Sequence, residues 1–196
     1  MRFLFYLGFI FLSSCSLVLN FRDLPQPEGQ YIIGTDVFTW EDNYRDEWFT
    51  KDKIDTRKIV VQIWYPASEK SDSLFPYMDY ANLRVESISE RIGKGKGTIK
   101  PVTKVKTNTY YKAKPVNEQF PLILFSHGLG GYKSQNLINI ETLVSQGYIV
   151  VAPDHSYDAS ITIFDDETSV GFESGLPDDV SPEKFWFRFK CSSLDQ

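Results

Sequence analysis

At 196 residues the chain is long enough for one domain with its own core. Its composition is that of a globular protein: 42% hydrophobic, 15% aromatic and 24% charged. A net charge of −5 and a pI near 5.1 exclude the basic face a nucleic-acid binder needs, and no internal repeat is visible.

The chain opens with Arg2, the apolar run Phe3–Leu12 (FLFYLGFIFL), then Ser13, Ser14 and Cys15. A positive start, a short apolar core and small residues make a secretory signal. The run is too short for a membrane span, which needs about 20 residues. Leu12 to Cys15 (LSSC) also resembles a bacterial lipobox, in which the cysteine receives lipid. The other reading is an ordinary signal peptide with an incidental cysteine. With Cys15 set aside, only Cys191 is left, so no internal disulfide framework is expected. Asn20 to Gly29, with Pro25 and Pro27, reads as a linker. The expected division is a signal at 1–15, a linker at 16–30 and one domain at 31–196.

Tyr31 to Trp40 (YIIGTDVFTW) fits a strand, and the charged stretch Glu41 to Arg57 reads as a turn or loop. Lys58 to Tyr65 (KIVVQIWY) is a second strand, ended by Pro66, and the two form an antiparallel pair. Trp64 and Tyr65 are expected to fill the junction with the core. Pro76 to Arg91 reads as one helix marked by Leu83, Ile88 and Ile92. Gly93 to Lys100 (GKGKGTIK) reads as a solvated connection. It is no P-loop, because no GK[ST] follows four free positions after a glycine.

Pro121 to Phe125 is a continuously apolar run, as in a strand covered on both faces. Ser134 to Gln146 follows helical spacing, with Leu137, Ile140, Leu143 and Val144 on one stripe, Ser134 as N-cap and Gly147 as the C′ stop. Tyr148 to Ala152 (YIVVA) is another buried strand, closed by Pro153. Strand, helix and strand form a βαβ unit, whose strands should be parallel. The fold class is therefore α/β. Phe164 to Ser181 is acidic and rich in turn residues, and Pro182 to Phe189 (PEKFWFRF) begins like a helix.

Between the βαβ unit's first strand and its helix lies SHGLGG, Ser126 to Gly131. Glycine turns and helix N-termini expose N–H groups that favour anions. In acyl transfer the transient anion is the carbonyl oxygen of a tetrahedral intermediate. A tight strand-to-helix turn would also favour glycine. Gly128, Gly130 and Gly131 let the backbone approach a substrate without a Cβ in the way.

FPLILFSHGLGG, SQGYIVVAPDHSYDAS and KIVVQIWYPAS together resemble the platelet-activating-factor acetylhydrolase family, an α/β-hydrolase group bordering on dienelactone-hydrolase-like esterases. LPQPEGQYIIGT (Leu24 to Thr35) and SGLPDDVSPEKFW (Ser174 to Trp186) are similar to it as well. The resemblance covers Leu24 to Trp186. It implies a serine ester hydrolase acting on short-acyl esters or phospholipids, with no cofactor or metal. The backbone N–H of Leu129, in a loop with His127, Gly128 and Gly130, would be the first oxyanion donor. The resemblance also implies a GxSxG serine followed by an Asp and a His.

That nucleophile motif does not occur in the sequence. GFESG, Gly171 to Gly175, places its serine one position late and follows no apolar strand. His127 and His155 both stand where the family has no catalytic base. FRFKCSSLDQ departs from the family pattern, as expected of a truncated or frame-shifted product. The sequence thus leads us to expect a partial α/β-hydrolase fold, with Tyr148–Ala152 beside unfilled sheet positions, poor stability and no measurable esterase activity. Asp154, His155 and Asp158 form a polar cluster, read as a metal site, a hydrogen-bonded loop or the lining of an acyl pocket. Phe185, Trp186, Phe187 and Phe189 are either a membrane-facing patch or a helix without its packing partner. The competing class is a non-catalytic surface lipoprotein that binds a lipid or protein partner on the same scaffold. The expected partners are an ester or phospholipid, a membrane through Cys15, and no nucleic acid.

Overall fold

The computed structural model describes residues 23–47, 49–50 and 55–173. The signal segment with Cys15, the serine of GFESG and the Pro182–Phe189 segment lie outside them. Seven strands and three helices follow in the order β1 (Ile32–Asp46), β2 (Thr56–Ala67), α1 (Ala81–Ile92), α2 (Lys96–Ile99), β3 (Thr109–Tyr111), β4 (Leu122–Leu124), α3 (Leu137–Ser145), β5 (Ile149–His155), β6 (Ile161–Ile163) and β7 (Ser169–Gly171). A short 3-10 turn at Lys100–Lys104 follows α2.

Five strands form one mixed sheet in the order β3-β1-β2-β5-β4, and β6–β7 is a separate hairpin. β1 and β2 pair antiparallel, β2 and β5 antiparallel, and β4 and β5 parallel, with Leu122 opposite Ile149 and Leu124 opposite Val151. The expected antiparallel entry and parallel βαβ strands are both present. Charged residues do not stop β1, which runs on to Asp46, and β2 starts at Thr56. Glu41–Asp46 and Thr56–Arg57 therefore extend the ribbon beyond the expected strand ends. Its side chains there are mostly exposed or half-buried, so charge can stay in the ladder, and a register shift between Asp42 and Asp46 precedes the last pair, Asp46 opposite Thr56.

β5 is not an edge strand. β2 pairs on one side of it and β4 on the other, so among the described strands the edges are β4 and β3. Nor is β4 covered on both faces. Leu122 and Leu124 are 58% and 46% exposed, and Phe38 and Trp40 on β1 are 42% and 47% exposed. These four lie on one face of the sheet, opposite the face on which α3 packs.

The core sits under α3. Trp64, Val150 and Ala152 from the sheet meet Leu137, Ile140 and Val144 of the helix stripe, with Leu143 half-buried beside them. Trp64 is fully buried there, and the Tyr65 hydroxyl donates to the Ala113 carbonyl at 2.8 Å. Gly147 ends the helix at φ +95, its N–H on the Val144 carbonyl, as the C′ expectation required. Ser134 is not the N-cap. The helix begins at Leu137 after tight i+3 turns, and the Ser134 hydroxyl donates to the Tyr77 carbonyl.

The segment expected as a linker is, in its described part, packed. Leu24 belongs to the core, its N–H donates to Lys106, and Gly29 lies so close to the Ser145 carbonyl that a Cβ would come within 2.0 Å. α1 also turns the other way from its apolar marks: Leu83 and Ile92 are exposed, while Arg84, Val85 and Ser89 are buried. Gly93–Lys100 contains the one-turn helix α2 within the expected connection. The acidic stretch after Asp158 carries the β6–β7 hairpin, paired from Ile161 opposite Gly171 to Ile163 opposite Ser169.

Candidate active site

β4 and β5 run the same way, so the loop after β4 and the residues after β5 meet at one end of the sheet. The Phe125 N–H still pairs with the Val151 carbonyl. Beyond it the chain turns. The Gly131 N–H closes a β-turn on the Gly128 carbonyl at 2.8 Å, with Gly130 at φ +68 in its third position. A positive φ at that position is what a type II turn demands, and glycine adopts it without strain. A Cβ at Gly128 would meet no atom of the described residues within 4 Å.

The direction of the Leu129 amide follows from the turn. The Gly128 carbonyl points inward, accepting both from Gly131 and from Nδ1–H of His127 at 2.9 Å. The peptide is planar and trans, so the Leu129 N–H on the same peptide must point the opposite way, out of the turn. Among the described residues it has no acceptor, and Leu129 itself is 73% exposed.

His127 is the pin that fixes this peptide. Its Nε2 accepts the His155 backbone N–H at 3.2 Å. A backbone N–H can only donate, so the ring carries its proton on Nδ1 and donates to Gly128. His127 is buried and fully occupied in holding the loop, not placed as a base. His155 packs edge-on against it at 5.2 Å between centroids and reaches Ser126 Oγ through Nε2 at 2.9 Å.

Further bonds fasten the loop to the segment after β5. The Gly130 N–H donates to the Asp158 carbonyl at 2.6 Å, and the Ser160 N–H donates to Gly131 at 2.8 Å. The Lys133 N–H donates to Asp154 Oδ1 at 2.6 Å. Asp154 does not face the pocket, as the sequence had allowed. It is fully buried in a four-charge network: Arg84 bonds Asp154 at 2.8 Å and Asp79 at 2.6 Å, and the Lys133 ammonium bonds Asp79 at 2.6 Å and Asp154 at 3.3 Å. Burial by itself would raise both carboxyl pKa values. The Lys133 and Arg84 charges outweigh it and hold both below the usual carboxylate range. Asp154, His155 and Asp158 therefore go three separate ways, to the ion network, to Ser126 and to the loop backbone. Among the described residues no group of three or more His, Cys, Asp or Glu is placed to hold a metal.

The sequence missed this network because charge at Arg84 and Lys133 carries no periodic signal. It also missed Arg91, at the end of α1, whose guanidinium donates to the Leu129 carbonyl at 3.0 Å. Gly130 makes room for that guanidinium, since a Cβ there would lie 1.8 Å from its Cζ. Gly130→Ala is accordingly expected to cost about 1–3 kcal/mol from the left-handed backbone alone, with a further loss as Arg91 is displaced. Thermal unfolding checks this, and an unchanged Tm would contradict the turn geometry.

A mixed sheet with a parallel pair, joined through a glycine turn at the carboxyl end of its strands, defines an α/β esterase-like fold. The family model described as platelet-activating factor acetylhydrolase, isoform II, matches residues 18–193, and the chain belongs to that family. A platelet-activating factor acetylhydrolase of Cavia porcellus is 26% identical over 183 residues, covering 88% of this chain. The solved ferulic acid esterase from Streptomyces cinnamoneus shares the fold, at a TM-score of 0.68, 22% identity and 89% coverage of this chain. The chain spans 36% of the length of the first relative and 48% of the second.

Proposed function

We propose that these 196 residues supply the oxyanion-loop half of a serine ester hydrolase that acts on short-acyl esters or phospholipids. The single observation that carries it is the outward Leu129 N–H, held by His127 through the Gly128 carbonyl. A serine in a GxSxG turn attacks the ester carbonyl, and the carbonyl oxygen gains negative charge. The Leu129 N–H and the amide after the serine receive that charge, the alcohol leaves, and the acyl-enzyme is hydrolysed. GxSxG does not occur within the 196 residues, so the nucleophile and the Asp–His pair that serves it must come from chain beyond them. No metal takes part.

The 196 residues alone therefore bind an ester weakly and do not turn it over. Purified chain is incubated with p-nitrophenyl acetate beside its Leu129→Pro variant. Equal, background release supports the proposal. Turnover that the proline abolishes shows that a nucleophile is already present and overturns it. The competing role, a non-catalytic lipoprotein on the same scaffold, is separated by the flanking genomic sequence. An apolar strand followed by GxSxG, in any frame, favours the enzyme, and its absence favours the binding module. In either case we assign the first fifteen residues to export and Cys15 to lipid attachment, which places the protein on a membrane at the periplasm or cell surface. Mass spectrometry of the mature N-terminus tests this: an unmodified Cys15, or cleavage elsewhere, removes the anchor.

A further inference from the structure

α1 meets the glycine loop with a polar stripe, not an apolar one. Arg84, Ser87 and Arg91 stand at i, i+3 and i+7, so they leave the same face of the helix. The Arg84 guanidinium bonds Asp154 and donates to the Ile161 carbonyl at 3.1 Å. The Ser87 hydroxyl donates to the Ser160 carbonyl at 2.6 Å, and the Ser160 N–H is itself bonded to Gly131. Arg91 ends the row on the Leu129 carbonyl. Its guanidinium fills the space that a Cβ on Gly130 would take and lies 4.1 Å from the centroid of the Phe172 ring. A planar group fits that slot, which a lysine ammonium would leave partly empty. Two residues on, Gly93 turns the chain at φ +63 and closes the helix on Glu90, so α1 stops where it reaches the loop.

We propose that Arg91 is a positioning residue for the Leu129 amide: it locks the carbonyl of the residue whose N–H is offered to the ester oxygen. This rests on the hydrolase reading of that amide and adds to it a residue from a separate element. The peptide before Leu129 is held by His127 through the Gly128 carbonyl. The peptide after it is held by Arg91 at the carbonyl and by Asp158 at the Gly130 N–H. With both flanking peptide planes fixed, the two backbone dihedrals of Leu129 have little freedom. A donor aimed beforehand costs no reorganisation when the ester oxygen becomes charged. Freeing the second peptide lets the amide swing, which slows the chemical step and leaves ground-state binding almost untouched.

The first readout needs no catalysis. Amide hydrogen exchange of the 196-residue chain is compared with that of Arg91→Gln, Arg91→Lys and Phe172→Leu. Arg91→Gln should speed exchange at Gly130 and Gly131 by roughly tenfold, and the other two by less, while Val144 and Val150 stay as slow as in wild type. Unchanged exchange at Gly130 in Arg91→Gln overturns the proposal. The second readout uses the form of the enzyme that carries the GxSxG serine, with p-nitrophenyl acetate as substrate. Arg91→Gln should lower kcat about tenfold at unchanged KM. Arg91→Lys should recover part of the loss, and methylguanidinium in solution should raise the kcat of Arg91→Ala. A loss confined to KM, or an unchanged kcat beside a loosened loop, overturns the proposal as well. A wild-type enzyme that leaves esters intact refutes the hydrolase reading instead, and the exchange result still decides whether Arg91 holds the loop.

Discussion

Asp154→Ala is expected to cost about 3–5 kcal/mol of stability, because it leaves buried charge without its partner. The native network is neutral: Asp79 and Asp154 against Arg84 and Lys133, all four sealed from solvent or nearly so. Deleting one carboxylate leaves two cations facing one anion in a medium that solvates neither. It also removes the acceptor of the Lys133 N–H, so the segment after the glycine loop loses a tether at the same time. For a domain of this size the loss corresponds to a Tm lowered on the order of 6–20 °C. Chemical unfolding measures it, and a fall of less than 1 kcal/mol would show that the network contributes nothing. Lys133→Met added to Asp154→Ala restores neutrality and should recover part of the loss. The pH dependence has a definite sign. Both carboxyl groups are depressed in the fold, so their contribution is fully present above the unfolded value of about 4 and is lost as pH falls below it. Wild type should lose stability steeply on acidification, and Asp154→Ala should lose less.

Leu129→Pro, made in a form of the enzyme that carries the GxSxG serine, is expected to lower kcat about 10²–10³-fold, or about 2.7–4 kcal/mol. The proline removes one N–H and nothing else that touches the reacting atoms. A donor used only when the carbonyl oxygen becomes charged affects kcat far more than KM. Leu129→Ala keeps the N–H and should stay near wild type. His127 should behave as a positioning residue. His127→Asn keeps a donor where Nδ1 stands and should retain more activity than His127→Leu or His127→Gln, which leave the Gly128 carbonyl unpinned. Equal losses in all three would show that the imidazole does something other than hold the turn.

The elements legible in the sequence were those fixed by local pattern. The apolar runs of β2 and β5, the Leu137–Ile140–Val144 stripe and the stop at Gly147 all appear where the sequence places them. The glycine loop was legible too, since a positive φ and an exposed amide both select glycine. What was not legible depends on partners distant in sequence. Arg84 is buried because Asp79 and Asp154 meet it, and nothing in the α1 periodicity announces that. Leu83 and Ile92 look like core marks and are exposed because α1 buries its charged side. Asp154 and His155 look like a pocket pair. Adjacent residues of a strand point to opposite faces, so one enters the ion network and the other reaches Ser126.

Amide hydrogen exchange of the 196-residue chain puts the proposed role of the Leu129 amide to the most direct test. With its carbonyl side locked to His127 and Gly131, the Leu129 N–H should exchange nearly as fast as in an unstructured peptide, while the Gly130 N–H, bonded to Asp158, and the Val150 N–H in the sheet exchange slowly. A Leu129 amide as protected as Gly130 would mean that it is already spent inside the protein, with nothing left to offer an ester oxygen.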